Sequence, residues 1–415
     1  MTTPHLDRER IRDLFDLRRR VDGGRYVDYS EDPYPAMHLL RSSGPVHKGT
    51  MHELIGFEGT TTFHGVPDPD RPHFSVFSFA ECDAIYRNED LFLSYPPDLP
   101  RKASGLDSSM IYMNGSEHRR YRALVQPSFV PARAKWWLEN WIEQTVHSLI
   151  DEFYEDGRAE LNIDFNAVIP MLTITGSFGL SVDEALEVRA ALEGLPGGRP
   201  LDEFIMPIIK SRRVEGTDDL ISVLCHSEIK DEDGSTHRLS DEEVMGFANL
   251  LLAAGSGTTW KQMGITLTAL LTTPGALDAV RTDRSLLRRA IDESLRWNIT
   301  DPMFSRWAAE DTTIAGVRVP GGSAVHLCIG AANRDPGRWE EPDHYDIHRE
   351  PKSSLAFATG SHICLGMHVA RAELTTAIGA LIDRLPNLRL DPDAERPAII
   401  GLYERGPSHV PVVWG

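Results

Sequence analysis

Cysteine is scarce in this chain. The four present, Cys82, Cys225, Cys328 and Cys364, lie far apart, and none sits in a Cys-x-x-Cys pair. That spacing argues against a zinc site and offers no disulfide framework. The thiols read as lone residues, three of which can be small core side chains. Long apolar runs are missing as well. No stretch approaches the roughly 20 residues that span a bilayer. Residues Met1 to Gly24 are polar and charged, without the apolar core of a signal peptide. A cytoplasmic protein with no membrane anchor is the expectation. Positive charge is also in deficit: 43 Lys and Arg against 62 Asp and Glu give a formal net charge of -19. A phosphate-binding surface needs clustered cations, so no nucleic-acid partner is expected. Internal repeats, low-complexity segments and linkers are absent too.

What is present is enough apolar sequence for a large core, 41% of the chain, arranged mostly with helical periodicity beyond Ser116. The clearest helix starts at a capping box, Ser240-Asp241-Glu242-Glu243, and runs to about Thr272, ahead of Pro274. It would be roughly 45–50 Å long. Its middle, Leu250 to Ala254, is apolar on nearly every face and must be buried. A break of small and hydroxyl residues follows, Gly255-Ser256-Gly257-Thr258-Thr259, which weakens the helix and opens room for a ligand. Further helices are predicted over Ser285 to Trp297 and Leu365 to Leu385. Strand-like pieces fall at Thr313 to Val319, Ala324 to Leu327 and Ile399 to Trp414. The fold class is mainly α with small β-sheets, in a single domain over residues 1–415.

The most specific signal is Phe357-Ala358-Thr359-Gly360-Ser361-His362-Ile363-Cys364-Leu365-Gly366, a glycine-containing loop that delivers a cysteine to a helix start. Free N–H groups and the positive end of a helix favour a thiolate. Gly360 permits a tight turn, Gly366 a close approach to a flat ligand, and Phe357 can cover one face of it. A lone Cys at such a junction is ordinarily a core residue; the accompanying Phe, Gly, His and Gly reverse that reading. The run resembles the haem-binding loop of cytochrome P450 enzymes, Phe-x-x-Gly-x-His-x-Cys-x-Gly, and the resemblance extends from about Asp32 to the C-terminus. One departure is Ala358, where the family usually has Gly.

Other segments follow the same family. Glu293-Ser294-Leu295-Arg296 matches its Glu-x-x-Arg; residues three apart share a helical face, and apolar flanks favour burial of the pair. His344 stands where relatives close that charge network. His118 and Arg122, one turn apart, and Arg306 match the family's clamps on the haem propionates, with His362 a fourth contact. Ala254-Gly255-Ser256-Gly257-Thr258-Thr259 matches the oxygen-binding groove, with Thr258 as its threonine and Gly255 and Gly257 beside it. A dinucleotide-loop reading of the same glycines fails, because no strand precedes them and the third glycine is absent. Family resemblance places the substrate pocket at Pro97 to Met113, Asn249 to Ala253 with Ala254, Asp301 to Met303 and Phe304, and Leu402 with Tyr403.

The main departure is Gly257, where the family usually carries an acid. With no carboxylate there, a proton path through water is expected, by way of Ser256 or Thr259. Two lesser departures are a shorter lid, with a truncated helix over Leu201 to Ser211, and extra loop around Gly56 to Pro72. The resemblance implies an oxidoreductase: a monooxygenase holding haem b (iron protoporphyrin IX) on Cys364. It would insert one atom of O2 into a hydrophobic small molecule, with electrons from NAD(P)H through ferredoxin reductase and ferredoxin. By the same resemblance, Arg119, Arg120 and Arg122, with Lys352 and Arg371, could form a basic patch for an acidic ferredoxin. A peroxide-driven peroxygenase and a non-catalytic haem-thiolate sensor are the alternatives. Replacing Cys364 with Ala should abolish the red-shifted Soret band of the reduced carbon-monoxide adduct. Ala at Cys82, Cys225 or Cys328 should leave it in place.

Overall fold

The computed structural model describes residues 7–17, 31–57, 70–101, 105–193 and 199–415. The loop expected at Gly56 to Pro72 lies largely outside them. The long central helix runs over Asp241–Thr272, and its Ser240 and Glu243 exchange the expected reciprocal capping bonds. From Val244 to Leu270 it is buried except at Ala253, Ala254, Gly255 and Thr258. An interior helix with one open stripe is a cavity wall rather than a surface helix. Helices Val168–Ser177, Leu201–Val214, Leu286–Trp297 and Met367–Arg384 pack against it. Among the described residues no single helix is long and apolar enough to cross a membrane.

The lid region differs from expectation. Its helix continues to Val214, because Arg212 pairs with Asp219 at 2.6 Å and Arg213 with Asp241 at 3.0 Å, anchoring the last turn. Val182–Leu192, started by a Ser181/Glu184 capping box, is an additional helix ahead of it.

A five-stranded sheet takes the order Val46–Lys48, His73–Val76, Ala324–Leu327, Phe304–Ala308, Phe92–Leu93. The inner pair His73–Val76 and Ala324–Leu327 is parallel and the other pairings are antiparallel. Strand alternation decides which way Phe304–Ala308 faces: Phe304 and Arg306 are partly open, Ser305 and Trp307 buried. A short hairpin pairs Ile399–Ile400 with Gly406–Pro407 and carries residues 401–405 at its tip.

The cysteine loop hangs on a buried ion cluster. Arg296 binds Glu293 through two contacts, 2.8 and 2.7 Å, and also donates to the carbonyls of Asn333, Pro342 and His344. Arg349 adds a second cation on Glu293 at 2.9 Å. This corrects the expectation for His344, whose side chain is 73% exposed and contributes only its carbonyl oxygen to Arg296 and Arg349. Asn333 Oδ1 accepts from the Leu355 N–H at 2.7 Å, tying the cluster to the loop. Within the loop the Cys364 N–H closes onto the Phe357 carbonyl at 2.8 Å. Gly360 has φ +75°, and a Cβ there would stand 2.4 Å from the Tyr86 carbonyl oxygen, so only glycine fits. Ala358 also has positive φ, 56°, which explains the glycine usual there.

Two outcomes follow for denaturation experiments. Glu293→Gln leaves Arg296 and Arg349 without a buried counter-charge and should cost ~3–5 kcal/mol, whereas His344→Ala should stay within about 0.5 kcal/mol of the parent. Ala358→Gly should raise stability by about 1 kcal/mol, because it relieves a left-handed alanine.

Candidate active site

Two walls face one another across an interior cleft. One is the cysteine loop at the start of Met367–Arg384; the other is the open stripe of the central helix. Cys364 is the one exposed cysteine, while Cys82, Cys225 and Cys328 are buried. Its exposure is to the cleft: enough protein surrounds it that burial pushes its thiol up. The Gly366 N–H and the charges of Arg122 and Arg371 pull the other way. A free thiol there resists ionisation, and a metal cation on its open side would supply the missing stabilisation. A Cβ on Gly366 meets no protein atom within 4 Å, so the backbone beside the thiol leaves room for a flat group. Phe357 is half-buried, with the Arg371 guanidinium 4.6 Å from its ring centroid.

Cations gather at the rim of the cleft. Arg122, on Gly115–Val125, donates to the Ile363 carbonyl at 2.7 Å. Arg306 donates to the Ser305 carbonyl at 2.9 Å and lies 5.2 Å from the Tyr86 ring centroid. No carboxylate among the described residues pairs with either. His118 and His362 stack with centroids 3.8 Å apart, and Ser94 Oγ meets His362 Nε2 at 3.0 Å. Burial first, and then the neighbouring arginines, lower His118 to about 4 and His362 to about 2. Both rings are therefore neutral at neutral pH. His118 Nδ1 and the Tyr86 hydroxyl are buried without a partner. Two guanidiniums lacking counter-ions and two orphaned polar atoms make a receptor for carboxylates. Together with the open Cys364 thiol, these residues fit a haem bearing two propionates. The tyrosine and Ser94 were not legible in the sequence, since nothing local marks Tyr86 or Ser94 as neighbours of residues 306 and 362.

The helix wall sorts the glycines. A Cβ on Gly255 would lie 2.9 Å from Ile174 Cγ1, so this residue is small to let Val168–Ser177 pack, not to serve the chemistry. Gly257 is different: its Cβ would find ordinary contact distances, 3.8 Å to Arg189 Nη1 and 3.9 Å to Glu404 Oε2. Thr258 is partly open, with its hydroxyl on the Ala254 carbonyl at 3.2 Å. Ser256 is buried and donates back to Leu252 at 2.8 Å, and Thr259 is buried too, so neither offers the expected water path.

Beside Gly257 lies a buried charged cluster that sequence reading missed. Lys261 pairs with Glu404, Arg189 pairs with Glu193, and the Glu404 N–H donates to Asp301 Oδ1 at 3.1 Å. Burial, and then the Glu404 charge, push Asp301 up to about 7. The lysine is lowered by burial against the pull of Glu404.

The pocket assignments divide. Ala253, Ala254 and Phe304 open onto the cleft. Asn249, Met303 and Tyr403 do not: Asn249 is buried, and the Tyr403 hydroxyl meets Met303 Sδ at 3.2 Å in a core shared with Tyr34, Met37 and Leu402. Met303 precedes the strand and is fully buried, and Tyr403 packs on His52, centroids 5.1 Å apart. Nor is the proximal surface a free basic patch. Arg119 is bound by Glu89 at 2.7 Å, Arg120 by Glu232 at 3.1 Å and Arg371 by Asp292 at 3.1 Å. Lys352 donates to the Arg338 carbonyl at 2.8 Å.

Comparison with known proteins bears on this arrangement. The cytochrome P450 family model matches residues 200–399, which include both walls of the cleft. Pulcherriminic acid synthase of Bacillus subtilis (strain 168) is 32% identical, over 91% of this chain and 94% of its own. The cytochrome P450 monooxygenase PikC of Streptomyces venezuelae is 30% identical, over 88% of this chain and 86% of its own. The crystal structure of P450BioI, solved with an acyl carrier protein bearing hexadec-9Z-enoic acid, superposes with a TM-score of 0.79. It is 27% identical and covers 92% of this chain and 99% of its own. Relatives spanning nearly the whole chain, and a cysteine loop built to face unpaired cations, lead to one assignment: the chain belongs to the cytochrome P450 family of haem-thiolate monooxygenases.

Proposed function

We propose that the enzyme uses dioxygen and reducing equivalents from NAD(P)H, delivered by separate ferredoxin reductase and ferredoxin proteins in the cytoplasm, to hydroxylate a hydrophobic small molecule. One oxygen atom enters the substrate. The other leaves as water, taking up two electrons and two protons. The observation that carries this reading is the pair Arg122 and Arg306, with His118 and His362, lacking a carboxylate of their own beside the open Cys364 thiol.

Haem b is the proposed cofactor, and once bound it supplies the oxidation. Cys364 would hold its iron, and the two arginines and two histidines its propionates. Gly366 and Phe357 would flank it. On the opposite wall, Ala253, Ala254 and Phe304 exclude water and present apolar surface to the substrate, while Thr258 holds a proton at Oγ1. Asp301 and Glu404 add a polar edge to that wall, which favours a mainly apolar substrate bearing a polar group.

Turnover with NADH, a ferredoxin and its reductase under labelled dioxygen tests the reading across a panel of hydrophobic compounds chosen by the haem spin-state shift. One labelled atom should appear in each product molecule. Faster turnover with peroxide alone than with the reductant chain would contradict it and favour a peroxygenase.

A further inference from the structure

A hydroxyl that hands a proton into an active site must be resupplied. Thr258 is the hydroxyl on the open stripe of the central helix, and its intrahelical bond to Ala254, 3.2 Å, is long. Neither hydroxyl beside it can resupply it, since Ser256 and Thr259 are buried and Ser256 is committed to Leu252. Position 257 has no side chain, but the direction its Cβ would take leads to Glu404 Oε2, 3.9 Å away, and to Arg189 Nη1 at 3.8 Å. A carboxylate from the far end of the chain thus reaches the helix one residue from Thr258.

Glu404 is held firmly in that place. It sits at the hairpin tip with φ +43°, a conformation costly for a non-glycine residue and found where surroundings over-determine it. Its carboxylate pairs with Lys261, one turn along the helix from Gly257, and its N–H donates to Asp301 Oδ1 at 3.1 Å. The next residue, Arg405, donates its N–H to the Thr300 carbonyl at 2.7 Å, and Thr300 Oγ1 reaches the Thr258 carbonyl at 3.5 Å. Among the described residues, the charged groups facing Glu404 include Lys261 and Arg189, the latter paired with Glu193, and Asp301. Asp301 also lies close enough to act electrostatically on Cys364.

We propose that Glu404 is the carboxylate that resupplies Thr258 with protons, replacing from the C-terminal hairpin the side chain that Gly257 lacks, with Asp301 as its proton reserve. This rests on the dioxygen-driven reading above. Thr258 Oγ1 gives its proton into the cleft and takes one from Glu404 through a bridging water. Asp301, protonated below about 7, returns a proton to Glu404, and solvent reprotonates Asp301. One proton enters for each that leaves, and no oxidant or reductant is consumed.

The test uses the holoenzyme with its reductant chain and compares Glu404→Gln, Asp301→Asn and the double variant Gly257→Asp with Glu404→Gln. Glu404→Gln should divert dioxygen to free hydrogen peroxide, lowering product per dioxygen by roughly tenfold or more. The solvent isotope effect should grow, with the substrate-induced spin shift unchanged. Adding Gly257→Asp should restore product. Independently of turnover, pH-difference infrared spectra of the resting holoenzyme should contain a carboxyl band titrating near pH 7, absent in Asp301→Asn. Asp301→Asn retains an acceptor for the Glu404 N–H and leaves the Lys261 pair intact, so it decides the matter if Glu404→Gln does not fold. Unchanged product share and isotope effect in both single variants, or no carboxyl titrating near neutral pH in the parent, would overturn the proposal. Dioxygen-driven product formation in the parent with no effect of Glu404→Gln removes this inference alone. A parent active only with peroxide removes the proposed function with it.

Discussion

Two arginines, Arg122 and Arg306, have no acid of their own among the described residues, and much of the architecture is arranged around that imbalance. Arg122 comes from a helix and Arg306 from a sheet strand, so distant segments must be held together for both to meet at one rim. Burial disfavours each charge, and lowers both guanidiniums from their ordinary value. An interior that bears this cost has a counter-ion to receive. The stacked imidazoles of His118 and His362, kept neutral by burial first and then by the same cations, extend the receptor without adding charge.

The cysteine depends on a different cluster, where the buried cations share a carboxylate. Glu293 holds Arg296 and Arg349 together, and Arg296 gathers three carbonyls from the segment leading to the loop. A buried network with this many bonds specifies one loop path. That path forces Ala358 into a left-handed conformation and passes Gly360 close over the Tyr86 carbonyl. Cations sharing a carboxylate fix the ligand-bearing loop, and cations without one prepare the rim beside it.

Local signals carried much of this in the sequence. The Ser240 box, the span of the central helix, the Leu286–Trp297 helix and the cysteine at a helix start all rest on short-range rules, and all appear in the structure. Misreadings arose where partners are remote. His344 lost its place to Arg349, five residues on, because chain path rather than residue type decides which side chain turns inward. Met303 and Tyr403 face a core instead of the cleft. Arg119 and Arg120 are neutralised by Glu89 and Glu232, which no local pattern connects to them. Gly255 and Gly257 look alike in sequence yet are small for different reasons, one to admit Ile174 and the other with space beside Glu404.

As proposed, Arg122 and Arg306 seat the two carboxylates of a haem ligated by Cys364. Binding of protohaem and of its dimethyl ester to the cofactor-free protein tests this most directly, because the ester keeps the ring and the iron but removes both charges. The account predicts that the ester binds at least roughly tenfold more weakly, and that Arg122→Ala or Arg306→Ala narrows the difference. Equal affinity for the two, with the arginines intact, would contradict it.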